Sequence, residues 1–278
     1  MAKVTIHGAD AGDAVDVVEH KLATIPTDFH HEVANDDVAG HRIIHKFGRV
    51  TAGTSFGAVA FGGVWQTVQP AAATALRVAA GNVNDDVSGS GAWDVVLHGL
   101  GPTGKRQVAT VSTNGTSAGS PSVETFIRIN RGFVDLSGTY ATTSSGSHAA
   151  DIVIENAAGN ADWLTIDATG YPRGQTEIAC FAIPAEEKAF INGINIYTDS
   201  TRSSDIIVLQ REDILKAAAP YKAMREVLAI TGINNPITIT PKAPLGPFPP
   251  LTDLIFLGKV GASTGDIVVD FEMVLEDA

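Results

Sequence analysis

The chain has 278 residues, 44% of them apolar and only 18% charged, with 28 glycines and 13 prolines against 6% aromatics. That length can bury a core without disulfides or metal, and the Gly/Pro share suits many short strands and turns better than a helical bundle. With 19 Lys and Arg against 31 Asp and Glu, the net charge of −12 disfavours sequence-independent binding to nucleic-acid phosphates, and one cysteine allows no internal disulfide. No window is long and apolar enough for a membrane helix, and the opening Met1-Ala2-Lys3-Val4 does not read as a signal peptide. The expectation is an acidic, β-rich protein made in a reducing cytoplasm, with no nucleic-acid or membrane partner.

Residues 1–60 differ from the rest. They hold six of the eight histidines and alternate poorly. Asp13 to Leu22 fits one short helix, with Val15, Val18 and Leu22 on one face, stopped at Thr24-Ile25-Pro26. This segment reads as an arm or extended subdomain without a large core of its own. Its apolar residues Ile43, Ile44, Phe47 and Phe56 therefore become candidate contacts for the sandwich, a sister subunit or a shell.

From Thr74 onward the chain reads as strands separated by turns. Thr74 to Val78 and Ala92 to Leu97 are bridged by a polar loop, and Gly99-Leu100-Gly101-Pro102-Thr103-Gly104 turns the chain into Gln107 to Val111 as a hairpin. Further β-prone runs are Thr125 to Leu136, Asp151 to Glu155, Trp163 to Ile166, Glu177 to Ile183, Phe190 to Tyr197, Asp205 to Leu209 and Leu254 to Val260. The last, Asp266 to Leu275, is the clearest. Ile267, Val269, Phe271, Met273 and Leu275 alternate with Val268, Asp270, Glu272 and Val274, the pattern of a half-buried antiparallel strand. Arg211 to Ala219 predicts a helix ended by Pro220. Six prolines between Asn235 and Thr252 predict a stiff surface loop, with Pro244, Pro247 and Phe248 as further candidate contacts. The fold class expected is mainly β, an antiparallel sandwich or jelly roll over residues 61–278 with one short helix.

Motifs for chemistry fail on context. Gly99 to Lys105 matches two phosphate-loop patterns, but Arg106 replaces the Mg²⁺-ligating hydroxyl, Pro102 removes an N–H donor, and a strand follows. Gly53-Thr54-Ser55-Phe56-Gly57 fits a nucleophile elbow, yet a poor helix follows it. His41 and His45, with His30 and His31 upstream, are the best metal candidates; on a strand the first pair stands too far apart for one ion. Asn84-Asp85-Asp86 lacks the spaced carboxylates of a Ca²⁺ loop and reads as a solvated turn. Asp135, Asp151, Glu155, Asp162 and Asp167 single out no glycosidase pair. Trp65, Trp93 and Trp163 fit core packing, and Cys180 a buried small hydrophobe. No catalytic residue, metal or cofactor is expected.

The order of segments resembles a family of virion structural proteins of marine tailed bacteriophages. The matching stretches are His45-Lys46-Phe47-Gly48-Arg49, Val64-Trp65, Asn84-Asp85-Asp86 ahead of Gly89-Ser90-Gly91-Ala92, Val96-Leu97-His98-Gly99-Leu100 and Thr113-Asn114-Gly115-Thr116. The most specific block is Phe126-Ile127-Arg128-Ile129-Asn130-Arg131-Gly132-Phe133-Val134. Gly174-Gln175-Thr176, Phe181-Ala182-Ile183-Pro184-Ala185 and Thr252-Asp253-Leu254-Ile255-Phe256 follow. Glu186-Glu187-Lys188 departs from the family's Gly-Lys at one turn. The resemblance implies jelly-roll-like subunits on the virion exterior, often trimeric, that decorate or stabilise the capsid, with the major capsid protein or other virion proteins as partners. A neck, tail or head-fibre component, or a carbohydrate-binding tail-spike module, remains the alternative.

Overall fold

The alternation read at the C-terminus becomes the longest strand of a layered antiparallel β structure. The computed structural model describes residues 17–18, 21–22, 29–62, 73–199, 202–216 and 218–278. The chain forms two units, Met1–Ala39 and Gly40–Ala278. In the first, β1 (Val17–Val18) pairs with β2 (Lys21–Leu22), and α1 spans Phe29–Ala34. The helix expected over Asp13 to Leu22 is thus replaced, where described, by a two-stranded ladder, consistent with the β preference of paired valines.

The second unit holds two adjoining sandwiches. One sheet has the order β11 (Asp162–Ile166), β10 (Ile152–Asn156), β5 (Thr74–Ala80), β8 (Thr125–Phe126). Its companion has the order β7 (Arg106–Ser112), β6 (Ala92–Leu100), β9 (Arg128–Ser137). Inward residues such as Leu76, Val78, Leu97, Ile129, Ile154 and Leu164 form their common core.

The second sandwich sets β16 (Ile237–Ile239), β13 (Glu187–Thr198), β19 (Gly265–Asp277) and β3 (His41–Ala52), with β17 (Leu245–Phe248) also on β13, against a sheet ordered β12 (Cys180–Ala182), β18 (Asp253–Val260), β14 (Ser204–Arg211), β15 (Arg225–Ile233). β4 (Gly57–Ala58) joins β18 as well. Ile267, Val269, Phe271, Met273 and Leu275 all enter this core, where Phe271 stacks on Phe256 at 4.6 Å.

The sheet carrying β12 and β18 serves both cores. Cys180, Ala182 and Ile255 face the first; Ala179, Phe181, Leu254 and Phe256 face the second. Two-sided burial explains why Ile178 to Ile183 is an unbroken buried run, unlike the alternating β19.

Polar side chains fasten the sandwiches together. Arg128 of β9 donates Nε–H to Asp253 Oδ1 and Nη2–H to Oδ2, each at 3.0 Å, and Arg211 Nη2 reaches Oδ2 at 2.6 Å. Arg128 and Asp253 are fully buried and Arg211 is nearly so. Two residues along β9, Asn130 brackets Ala182: its Nδ2 donates to the Ala182 carbonyl at 2.9 Å, and its Oδ1 accepts from the Ala182 N–H at 2.8 Å. Gly48 of β3 lies against this same sheet, where an added Cβ would come within 2.2 Å of the Ala179 nitrogen. Only glycine permits that approach.

Several expectations change. Residues 41–60 are no arm: β3 pairs with β19 at all twelve of its positions, from His41 opposite Glu276 to Ala52 opposite Gly265. Ile44 packs on the second core, and Val59 and Ala60 are fully buried. The helix expected over Arg211 to Ala219 does not form, because Arg211 ends β14 with its side chain in the buried ion cluster, and Asp213 takes a left-handed φ of 60°. The Pro-rich segment is not a detached loop. Ile237–Ile239 and Leu245–Phe248 pair with β13, an edge placement that tolerates Pro247. Asp85 is not solvated: its buried carboxylate accepts from the N–H groups of Ala92, Ala149 and Ala150.

Two outcomes follow from this architecture. A chain beginning at Gly40 is expected to fold with a cooperative transition by circular dichroism, whereas one beginning at Phe61, which lacks β3 and β4, is expected to lose it. Asp253→Asn, which leaves two buried guanidiniums facing a neutral amide, is expected to lower unfolding free energy by about 3–5 kcal/mol in urea titrations.

Candidate functional site: a cationic cleft beside β3

Among the described strands, β3 pairs only with β19, and none of them pairs with its other edge. Along that edge runs a cleft of about 510 Å³, closed on the far side by β6, β7 and β9 and floored in part by Phe181 and Pro184. Both faces of β3 contribute, Arg42, Ile44 and Lys46 together with Ile43 and His45, as expected where a cleft follows an edge strand. The opposite wall supplies His98, Arg106 and Arg131. The lining contains four Lys or Arg, two His, and no Asp or Glu, in a chain where acids outnumber bases.

Carboxylates behind the lining offset part of this charge. Both oxygens of Glu187 accept from Arg106 Nη2, at 2.7 and 2.5 Å, and Arg42 stands 4.0 Å from the same group. His45 Nε2 lies 2.6 Å from Asp270. The other two cations meet neutral acceptors. Arg131 donates to Gln175 Oε1 at 2.8 Å, its guanidinium 4.9 Å above the Phe133 ring, and Lys46 Nζ donates to the Asn130 carbonyl at 2.5 Å.

Burial pulls the Lys46 ammonium down to about 7, with Arg131 pushing the same way and Cys180 opposing. Burial, then Arg131 and Arg106, hold His98 below the usual imidazole range. Burial pushes the Cys180 thiol up to about 12, as befits a packed, unreactive sulfur. The cleft is a positive, partly dry recess with an apolar floor. The sign of its lining suits an anion, and no nucleophile–base pair is assembled in it among the described residues.

Other candidate residues take separate places. Ile43 is half-buried in the cleft lining, Ile44 packs on the core, and Phe47 is half-buried beside the His45 ring. Phe56 is exposed under Lys259 Nζ at 4.8 Å. Pro244 and Pro247 are exposed, but Phe248 is buried in the second core and presents no surface. His41 faces Glu276 at 3.4 Å and does not converge with His45, while His30 and His31 belong to α1 in the other unit. Among the described residues, no group of three or more His, Cys, Asp or Glu side chains is placed to hold a metal.

Gly99 to Lys105 forms the expected hairpin turn, with the Gly101 N–H donating to the Lys105 carbonyl. Ser55 is exposed in a bend between β3 and β4. The scattered carboxylates serve structure: Asp167 and Glu177 hold Arg49, and Glu155 holds Arg77. Trp163 is a core residue; Trp93 is half-buried, its indole N–H on the Gly89 carbonyl; Trp65 lies outside the described residues. Lys46, His98 and Arg131 each sit on a different strand, so no local pattern in the sequence marks that they line one cleft.

No family model matches the chain, and none of the curated proteins does. Among solved structures, the VP2 subviral particle of infectious bursal disease virus aligns over 87% of this chain and 78% of its own at 11% identity and a TM-score of 0.20. The Gx strain structure of that virus aligns over 86% and 76%, at 11% identity and a TM-score of 0.21. The Yersinia pseudotuberculosis-derived mitogen covers 33% of this chain and 80% of its own, at 12% identity and a TM-score of 0.19. These values lie below the level at which a shared fold is assigned.

The buried Lys46 yields a pH test. Its folded-state pKa of about 7 lies below the ordinary 10.5, so between those values the unfolded chain binds more protons and stability rises with pH. The penalty is full below pH 7. Lys46→Met removes it and leaves a pH-independent loss at the Asn130 carbonyl. The wild-type-minus-variant difference in unfolding free energy is therefore expected to climb by up to roughly 4 kcal/mol between pH 7 and pH 10.

Proposed function

We propose that this protein is a non-enzymatic structural component of a tailed-phage virion, a decoration or cement subunit that stabilises the head shell as a trimer. One observation carries the reading: four of the segments in which the sequence resembles phage virion proteins, the most specific block among them, meet at the junction of the two sandwiches. The block Phe126 to Val134 contributes Arg128 and Asn130, the block Thr252 to Phe256 contributes Asp253, and Phe181 to Ala185 contributes Ala182, which Asn130 brackets. His45 to Arg49 contributes Lys46, bound to the Asn130 carbonyl, and Gly48, pressed against the shared sheet. Residues that define an enzyme family crowd around its reacting atoms; residues that define a structural one hold its layers in register.

The surface supports the same reading. β15 is a nine-residue edge strand whose residues are mostly exposed, with Tyr221 and Met224 exposed just ahead of it. An edge of that length suits pairing with a neighbour, and repeated contacts on a lattice add by avidity.

The test is stoichiometric. Densitometry of purified virions carrying the protein is expected to give hundreds of copies per particle, and heads stripped of it to open at lower temperature than intact ones. Tens of copies or fewer would assign it to the neck or tail instead. Light scattering of the isolated protein is expected to give three times the mass of one chain.

A further inference from the structure

The cleft beside β3 has a use that the virion reading does not supply and on which it does not depend. Its lining sets Arg42 and Lys46 across from Arg106 and Arg131 with no acid among them, although the chain as a whole carries −12. Arg42 and Arg131 are exposed, so their guanidiniums reach the opening. Arg131 is held by a neutral acceptor, leaving its charge to be answered from outside. Ile43, Ile44 and Val108 give the same recess apolar surface. Along it lies the edge of β3, which no other described strand than β19 pairs.

We infer that the cleft receives an extended acidic peptide segment of a partner chain, added as a strand along β3 with its carboxylates on the Arg side chains. Three features select this ligand over a simple anion. The edge of β3 offers backbone N–H and C=O groups to an extended chain, which a free anion cannot use. Alternate side chains of a strand face opposite ways, so one segment presents carboxylates to one wall and apolar groups to the other. Guanidinium forks match carboxylates in a bidentate geometry.

The experiment uses the full chain and a fluorescent peptide of alternating Asp and Val, with an alternating Lys and Val peptide and free citrate as the other arms. Polarisation titrations are expected to show saturable binding of the Asp peptide, weakened by salt, no binding of the Lys peptide, and displacement by citrate only at far higher concentration. In the double variant Arg42→Gln, Arg131→Gln, binding is expected to fall at least tenfold while the unfolding midpoint stays within a few degrees; both side chains are exposed, so the fold does not need them. Three results would overturn the inference: equal binding by the double variant, equal binding of the Lys peptide, or citrate binding as tightly as the peptide, which would make the cleft a small-anion site. If the double variant unfolds, Arg131→Gln alone, read against the same three peptides and salts, decides the matter.

Discussion

A carboxylate and two guanidiniums taken out of water cost several kcal/mol each in lost hydration, and only close, well-aligned partners return it. Asp253 meets that condition by accepting from Arg128 through both of its oxygens and from Arg211 through one. The three residues come from β9 of the first sandwich and from the neighbouring strands β18 and β14 of the shared sheet, so the cluster exists only when β9 and that sheet are in register. A slip of one residue in β18 would turn Asp253 to the other face and leave the guanidiniums unanswered. The arrangement trades stability against an apolar alternative for a single permitted register.

The shared sheet carries the same logic in apolar terms. Because β12 and β18 are covered on both sides, neither sandwich can be removed without exposing the other's floor, and the two cores behave as one. Gly48 lets β3 come down on this sheet, and Asn130 closes the remaining amide and carbonyl of Ala182, so the junction leaves few backbone groups without partners. The cleft is a by-product of that junction. β3 forms one lip of the opening, and β6, β7 and β9 form the other.

Charge is arranged with similar economy. The acids of β19 that face outward are answered by its neighbour, Asp270 by His45, Asp266 by Thr51 and Glu276 by His41. Most remaining acids lie on the surface, where a net negative charge keeps the isolated chain soluble. The cleft stands against that background as a local region of opposite sign; burial first, and the neighbouring arginines second, shift Lys46 and His98 toward their neutral forms.

Much of the secondary structure was legible in the sequence. Alternation marked β19, Gly-Leu-Gly-Pro marked the β6–β7 hairpin, and every β-prone run from Thr74 onward contains a strand. These signals are local: period two and turn chemistry are set by residues a few positions apart. The strands that escaped are those whose stability comes from elsewhere. β3 has histidines and a lysine where a sandwich strand has apolar residues, and it is a strand because β19 pairs with it; β15 is an edge strand with many exposed residues and no clean alternation; the stretch after Arg211 has helix formers but yields to the pull of Asp253. The sequence by itself determined the mainly β class and the hairpin turn at Gly99 to Lys105. Only the tertiary structure decided that Arg128, 125 positions from Asp253, and Arg211, 42 positions from it, share one carboxylate. It alone decided that Lys and Arg side chains from three strands line one recess. Desolvation and charge convergence depend on distance in space, and a linear pattern of residue types holds no record of it.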